Sequence, residues 1–176
     1  MSNENSDALY WITSAGGPLL LLEEGALPYW NGNFGQNPTD YDKTFVFNDY
    51  LGVIEVDSQY GLVLGGEPTP TSWWPFAEGR GGLLVRWLYA DGDDAVINAV
   101  RLFPEERWRE TDISIDLSRG PLILFDSVCP GSDVDCLGTG CKIRLDLKPG
   151  RYGIGTAIYQ PDADTSLVLH RLEWKE

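Results

Sequence analysis

Short apolar runs separated by turn-forming residues recur along most of the chain. Residues 113–117 and 143–147 alternate apolar and polar positions, which is typical of strands with one exposed face, whereas residues 19–22 are continuously apolar, as in a buried strand. The runs that we predict as strands are 9–12, 19–22, 53–56, 62–64, 83–89, 113–117, 122–125, 143–147, 152–159 and 166–174. Short connections favour antiparallel pairing. The pattern therefore predicts about ten largely antiparallel strands in one or two packed sheets.

One segment has the period of an α-helix instead. Apolar residues recur there at i, i+3, i+4 and i+7, namely Val96, Ala99, Val100 and Phe103. Three aspartates stand at its start, where they can cap the helix and interact with its dipole: Asp91, Asp93 and Asp94. Pro104 is expected to end it. We predict one main helix near 93–103, and hence an α+β, mostly β fold.

The connections contain further signals. Residues 23–30 and 40–50 are predicted to hold short helical turns, the second with Phe45 and Phe47 as anchors. Prolines make residues 66–80 an extended loop that carries Trp73 and Trp74. Adjacent tryptophans either close the core beside a sheet edge or form a binding hot spot. Core closure is favoured, and both interpretations stay open.

The two halves of the chain contain segments that are similar in the same order. The pairs are 11–21 with 115–124, 53–64 with 145–158, and 83–87 with 167–171. Hairpin proteins give such matches by chance, so chance similarity and internal duplication are both open hypotheses. A duplication predicts two similar sheet halves with the helix as an insertion between them.

Composition indicates a folded protein. The chain has 176 residues, of which 43% are hydrophobic and 12% aromatic, so intrinsic disorder is excluded. We expect a flexible N-terminus at residues 1–8 and one mainly β domain over 9–176. No run approaches the ~20 apolar residues of a membrane span. The acidic start lacks the features of a secretory signal, so a cytoplasmic location is expected.

Charge narrows the choice of partner. The formal net charge is −14, from 13 basic and 27 acidic residues. Coulomb repulsion opposes binding to nucleic acid or to an anionic membrane surface. The same charge is compatible with a basic protein partner, although acidic surfaces also serve solubility alone.

Few residues offer reactive chemistry. Cys129, Cys136 and Cys141 lie in one segment, and their spacing matches no zinc signature. Their odd number and the missing signal peptide favour reduced thiols, while a disulfide within 129–141 or a metal site stays open. His170 is the only histidine, and no nucleophile or phosphate-binding motif is present. The many carboxylates leave a catalytic pair of the glycosidase type open. We predict no catalytic residue, cofactor or metal.

Several segments resemble the immunity protein 21 family of bacterial polymorphic toxin systems. They span most of the chain beyond the first eight residues and comprise 11–22, 40–42, 49–54, 62–65, 67–68, 82–87, 149–152 and 165–172. The resemblance implies a cytoplasmic, non-enzymatic, mainly β protein that binds and neutralises a cognate toxin. The cysteine-bearing loop 129–141 looks like a departure from the family pattern.

The resemblance and the charge together suggest an acidic interface with aromatic anchors, facing a toxin with a basic surface. Candidate toxin-binding residues are Trp73, Trp74, Asp91, Asp93, Asp94, Asp133, Asp135, Asp162 and Asp164. A monomer or a weak homodimer is expected. The alternative is a non-enzymatic β domain that binds a small molecule in a pocket lined by its tryptophans.

Overall fold

Ten strands and one α-helix form the framework of the protein in the computed structural model, which describes residues 9–118 and 120–175. The strands are β1 (Leu19–Glu23), β2 (Gly52–Val56), β3 (Gln59–Leu64), β4 (Thr71–Pro75), β5 (Gly81–Tyr89), β6 (Arg109–Leu117), β7 (Leu122–Asp126), β8 (Lys142–Leu145), β9 (Gly150–Tyr159) and β10 (Ser166–Lys175). Helix α1 (Asp93–Arg101) lies between β5 and β6. The expected flexible terminus 1–8 falls outside the described residues.

The strands form two five-stranded sheets. The first has the order β2-β3-β1-β7-β8 and the second β4-β5-β10-β9-β6, and every pairing between described strands is antiparallel. The predicted fold class is therefore confirmed. The sheets pack face to face, with aliphatic side chains of both in one central cluster that includes Leu21, Leu124, Ile154 and Leu172.

Both faces of the first sheet are covered, which explains its continuous apolar runs. Leu19 and Leu21 of β1 face the second sheet, whereas Leu20 and Leu22 face outward. Leu20 and Leu22 belong to a second apolar cluster, which we call the outer cluster. The outer face is covered by the 3₁₀ helix Glu24–Tyr29 and by the segment 127–141. All five residues of β1 are consequently buried.

Helix α1 covers the outer face of the second sheet. Val96, Ala99 and Val100 pack there against residues of β5 and β10, so the predicted apolar stripe is confirmed. The helix ends at Arg101, two residues before the predicted boundary, because the backbone leaves the helical conformation after this residue and turns toward Pro104. Phe103 still joins the same cluster, with its ring centroid 4.9 Å from that of Tyr159.

The count of ten strands agrees with the prediction, but one member differs. The run 9–12 forms only an isolated bridge, in which Ile12 and Thr71 exchange both backbone hydrogen bonds. The extended loop expected at 66–80 is wrong over Thr71–Pro75, which forms the edge strand β4. Proline is tolerated at the end of an edge strand, because a missing N–H there leaves no inner ladder bond unmade.

Two smaller expectations also change. The turn between β2 and β3 is shorter than predicted. It consists of Asp57 and Ser58, both with positive φ. Residues Tyr41–Val46 form the expected short helical segment as a 3₁₀ helix. Phe47 packs on the outer cluster of the first sheet, but Phe45 is 55% exposed and is no core anchor.

Strand order relates the two halves of the chain. β1 lies beside β7, and β5 lies beside β10, so two of the three similar segment pairs occupy neighbouring central strands. If these central strands are exchanged with each other, and β3 is exchanged with β8 and β4 with β9, each of these strands keeps equivalent neighbours in its sheet. The third pair does not follow this exchange, since it sets β2 and β3 against β8 and β9. Duplication remains a hypothesis.

Candidate functional site

Five of the seven predicted aspartates lie at one end of the second sheet. Asp91 lies in the connection from β5 to α1, Asp93 and Asp94 are the first residues of α1, and Asp162 and Asp164 occupy the β9–β10 turn. The two segments are neighbours, because Ser166 of β10 pairs with Tyr89 of β5. All five aspartates are exposed. We call these five residues the acidic end.

Local hydrogen bonds order part of the acidic end. Trp11 Nε1 donates to Asp93 Oδ1 at 3.0 Å, and the Trp11 ring packs edge-on against Trp87 at 5.3 Å between centroids. The Asp164 backbone N–H donates to Asp162 Oδ1 at 2.9 Å, which tightens the turn. The predicted side-chain cap of α1 is wrong, since Gly92 is the N-cap and no side chain bonds the first-turn amides. Asp93 and Asp94 still lie where the helix dipole favours negative charge.

The acidic end has no basic residue in its own segments. Residues 87–100 and 152–169 contain neither lysine nor arginine. Five exposed carboxylates therefore lie at one edge of the protein, and the nearest cation on the elements that carry them is Arg101, at the far end of α1. Such a concentration of charge attracts a basic surface at a distance comparable to the Debye length, ~8 Å at physiological salt.

An apolar groove adjoins these carboxylates. It has a volume of about 240 Å³ and lies between α1 and the β9–β10 turn, with Ala95, Leu102, Tyr159 and Pro161 in its walls and Asp162 at its rim. Leu102 is 76% exposed. The groove was not predictable from the sequence, because Leu102 lies outside the apolar stripe and its neighbours come from a distant segment.

The other candidates lie elsewhere. Asp133 and Asp135 belong to the segment that covers the first sheet, and Asp135 Oδ2 is 2.7 Å from Lys142 Nζ. Trp73 and Trp74 are half-buried on β4: Trp73 packs on the central cluster and Trp74 on the α1 side. The fold thus brings neither pair to the acidic end.

The tryptophans do not share one location. Trp30 belongs to the outer cluster of the first sheet, Trp73 and Trp174 pack on the central cluster, and the remaining four pack beside α1. The space between the sheets is occupied mainly by aliphatic side chains. Trp74 and Trp108 do line a common surface groove of about 200 Å³.

A disulfide holds the segment over the first sheet. Cys129 and Cys136 are bonded, so the expectation of reduced thiols is wrong for these two, while Cys141 is free and partly exposed. Cys129 is fully buried beside Trp30 in the outer cluster. The bond therefore closes the segment onto this cluster. Within residues 9–118 and 120–175, no three Cys, His, Asp or Glu side chains are grouped as metal ligands.

Two basic side chains are buried among the described residues, and neither was a candidate site residue. Arg86 of β5 is 3% exposed, and His170 of β10 is fully buried. Arg86 Nη1 donates to the Tyr50 carbonyl at 3.2 Å and Nη2 to the Glu67 carbonyl at 3.3 Å, which ties two connections to the second sheet. The alternation of side chains along β5 could have indicated the burial of Arg86, since Arg86 shares a face of its strand with the core residue Leu84.

Burial changes the titration of both groups. Removal from water lowers the pKa of Arg86 to about 10, and the guanidinium stays charged at neutral pH. Burial, and secondly repulsion from Arg86, lowers the pKa of His170 to about 3. His170 is therefore neutral, and its Nδ1 lies 3.0 Å from Thr156 Oγ1.

Two packed antiparallel sheets with an acidic end define the class of this mainly β protein. Residues 10–165 match the family model described as immunity protein 21. The match covers most of the chain, and the protein therefore belongs to the immunity protein 21 family, whose members are immunity proteins of toxin systems. No curated protein and no solved structure matches the chain. None of the helices in the described ranges has the length and apolar character needed to span a membrane.

Proposed function

We propose that this protein neutralises a cognate toxin in the cytoplasm by binding a basic surface of the toxin with its acidic end. The role is non-enzymatic, and the protein acts as a monomer or a weak homodimer. Family membership supports the toxin as partner. The observation that carries the choice of surface is the convergence of five exposed aspartates from two distant segments, without a basic residue in either.

Charge and apolar contact have separate roles in this proposal. Exposed carboxylates accelerate encounter and orient the toxin, and their effect weakens as salt rises. The groove beside them supplies surface that can be removed from water, above all Leu102. Fully burying a leucine side chain contributes about 1.5–3 kcal/mol. The carboxylates thus favour rapid association, and the groove favours slow dissociation.

The remaining sequence candidates lie outside the proposed interface. Trp73 and Trp74 use much of their ring surface against the two clusters that flank the second sheet. Asp133 and Asp135 are separated from the acidic end by the thickness of both sheets, and sheets pack ~10 Å apart. Because their rings pack on these clusters, we assign Trp73 and Trp74 to closure of the core.

Binding to the toxin domain encoded beside this protein tests the proposal. Two triple variants with equal net charge should be compared by titration calorimetry over a salt series that begins at low ionic strength. The first replaces Asp91, Asp94 and Asp162 by Asn. The control replaces the exposed residues Asp112, Asp116 and Asp133 by Asn. Asp93 is left unchanged in both because it bonds Trp11.

The acidic-end variant should bind at least about tenfold more weakly at low salt and show a smaller salt dependence, since each lost close charge pair costs of order 1 kcal/mol or more. The control should change affinity less than about threefold. Equal weakening of both variants would exclude the acidic end as the binding surface. Salt-independent binding by the wild-type protein would refute the electrostatic mechanism.

A further inference from the structure

A second cleft at the same end of the second sheet is basic. It has a volume of about 280 Å³ and lies between the connection that precedes β2 and the paired strands β6 and β9. Arg107, Arg109, Thr156 and Ile158 line it on one side, and Asp49 and Tyr50 on the other. Ile158 and Tyr159 are successive residues of β9, so this cleft and the groove beside α1 lie on opposite faces of that strand.

The two arginines of the cleft are free to bind a ligand. Within residues 9–118 and 120–175, neither Arg107 nor Arg109 makes an ion pair or a side-chain hydrogen bond, and both are exposed. Arg80, Arg144 and Arg171, by contrast, each have a carboxylate partner. Acidic residues outnumber basic ones by 27 to 13 in this chain, so two adjacent unpaired arginines in one cleft are unusual.

A buried cation lies behind the wall of this cleft. Arg86 donates to the carbonyl of Tyr50, a wall residue, and has no carboxylate partner among the described residues. Its Nε has no hydrogen-bond partner there either. On the other wall, Thr156 contacts His170, which is neutral. Buried charges are screened by water much less than exposed ones, so Arg86 adds to the positive potential of the cleft.

Only one acidic side chain of the cleft lining offsets these cations in the described part of the chain. Asp49 lines the cleft, and its Oδ1 accepts the backbone N–H of Tyr50 at 2.7 Å. The lining therefore holds two guanidinium groups and one carboxylate, with the guanidinium of Arg86 behind it, although the protein as a whole carries −14. Planar guanidinium groups match the oxygens of carboxylates and phosphates in bidentate geometry.

We propose that this cleft binds an oxyanion, a carboxylate or phosphate group, with Arg107 and Arg109 as its ligating cations. The Thr156 hydroxyl is a further polar group of the wall, and Ile158, which is 59% exposed, offers an apolar contact to the carrier of the anion. The volume is slightly below the ~300–1,000 Å³ of pockets for drug-sized ligands. It suits a small organic anion or an acidic side chain of a bound protein.

Anion titration followed by two-dimensional NMR tests the site without any toxin. Sodium phosphate and sodium malonate serve as probes at constant ionic strength, with sodium chloride as the blank. We expect saturable shifts at the amides of residues 107–109 and 156–158. The double variant Arg107→Gln/Arg109→Gln should lower the affinity at least about tenfold. Lys148→Gln/Arg151→Gln removes the same charge from exposed positions elsewhere and should leave the affinity unchanged.

Toxin binding by the same double variants distinguishes the two sources of the anion. An acidic side chain of the toxin is indicated if Arg107→Gln/Arg109→Gln weakens toxin binding and phosphate competes with the toxin. A free anion is indicated if phosphate or malonate saturates the cleft while toxin affinity is unchanged. The proposal is overturned if shifts grow without saturation and the toxin affinities of the two double variants are equal. Failure of the acidic end as an interface would leave the anion titration unaffected.

Discussion

Mild acid should destabilise the native protein through one buried side chain, His170. Burial and the nearby Arg86 keep its pKa at about 3 in the native state, against 6.5 for an unperturbed histidine. Between these two pH values the unfolded chain binds a proton that the native protein excludes. The free energy of unfolding therefore falls as pH decreases from about 6.5 toward 3, and is unaffected by this residue above that range.

The size of the effect follows from the shift. Each pH unit within the window lowers the free energy of unfolding by about 1.4 kcal/mol for one such group. At about pH 5, which is roughly 1.5 units below the unfolded pKa, the loss due to His170 is about 2 kcal/mol. This is a large fraction of the stability of a typical domain, about 5–15 kcal/mol.

Urea unfolding of the wild-type protein and of His170→Gln, measured from about pH 7.5 to about pH 4.5, isolates this contribution. Glutamine keeps a polar group beside Thr156 but does not titrate. Carboxylates titrate in the same range, but they are common to both proteins. The difference in unfolding free energy between the two proteins should therefore shift by about 2 kcal/mol in favour of the variant between about pH 7 and about pH 5.

A constant difference across this pH range would refute the reasoning. It would mean that His170 is protonated in the native protein in mild acid, through solvent access or a carboxylate partner. The imidazole Cε1–H resonance of wild-type protein provides a second measurement that needs no variant. It should keep the chemical shift of neutral imidazole down to about pH 4.5, and its assignment is unambiguous since His170 is the only histidine.

Two further predictions concern the segment that covers the first sheet. Cys136→Ser opens the disulfide and should lower the free energy of unfolding by about 2 kcal/mol, as expected for closure of a short loop, whereas Cys141→Ser should have little effect in denaturant titrations without reductant. Equal midpoints for these variants would contradict a stabilising bond. Gly131→Ala places a Cβ against the Leu27 carbonyl and should lower the thermal midpoint by several degrees, while Gly155→Ala, whose Cβ meets ordinary contact distances, should shift it much less in calorimetry. Similar losses for both would show that the segment can move aside.

The acidic end and the cleft lined by Arg107 and Arg109 give one edge of the protein both signs of charge. A partner that contacts this edge would meet carboxylates on the α1 side of β9 and guanidinium groups on the other side. Opposed patches of this kind restrict the orientation of a bound protein more than a uniformly acidic surface does. The two proposals can therefore be tested separately and then combined in one double-variant cycle with the toxin.

Most of the local structure was predictable from the sequence. Nine of the predicted runs correspond to strands, and the stripe from Val96 to Phe103 packs as expected, because the periods of helix and strand are properties of neighbouring residues. The mainly β class follows from the same patterns. Net charge also indicated that acidic groups dominate the surface chemistry, although not how they are arranged.

Long-range contacts decided the rest. The edge strand β4 exists because β5 and Ile12 pair with it, whereas Pro68, Pro70 and Pro75 indicate a loop. Asp91 and Asp162 lie far apart along the chain and meet only because β10 returns beside β5. Likewise, Arg86 and His170 look like ordinary strand residues until the sheets pack and exclude water. Sequence periodicity determines which residues form each element, but only tertiary packing determines which charges become neighbours and which lose their solvent.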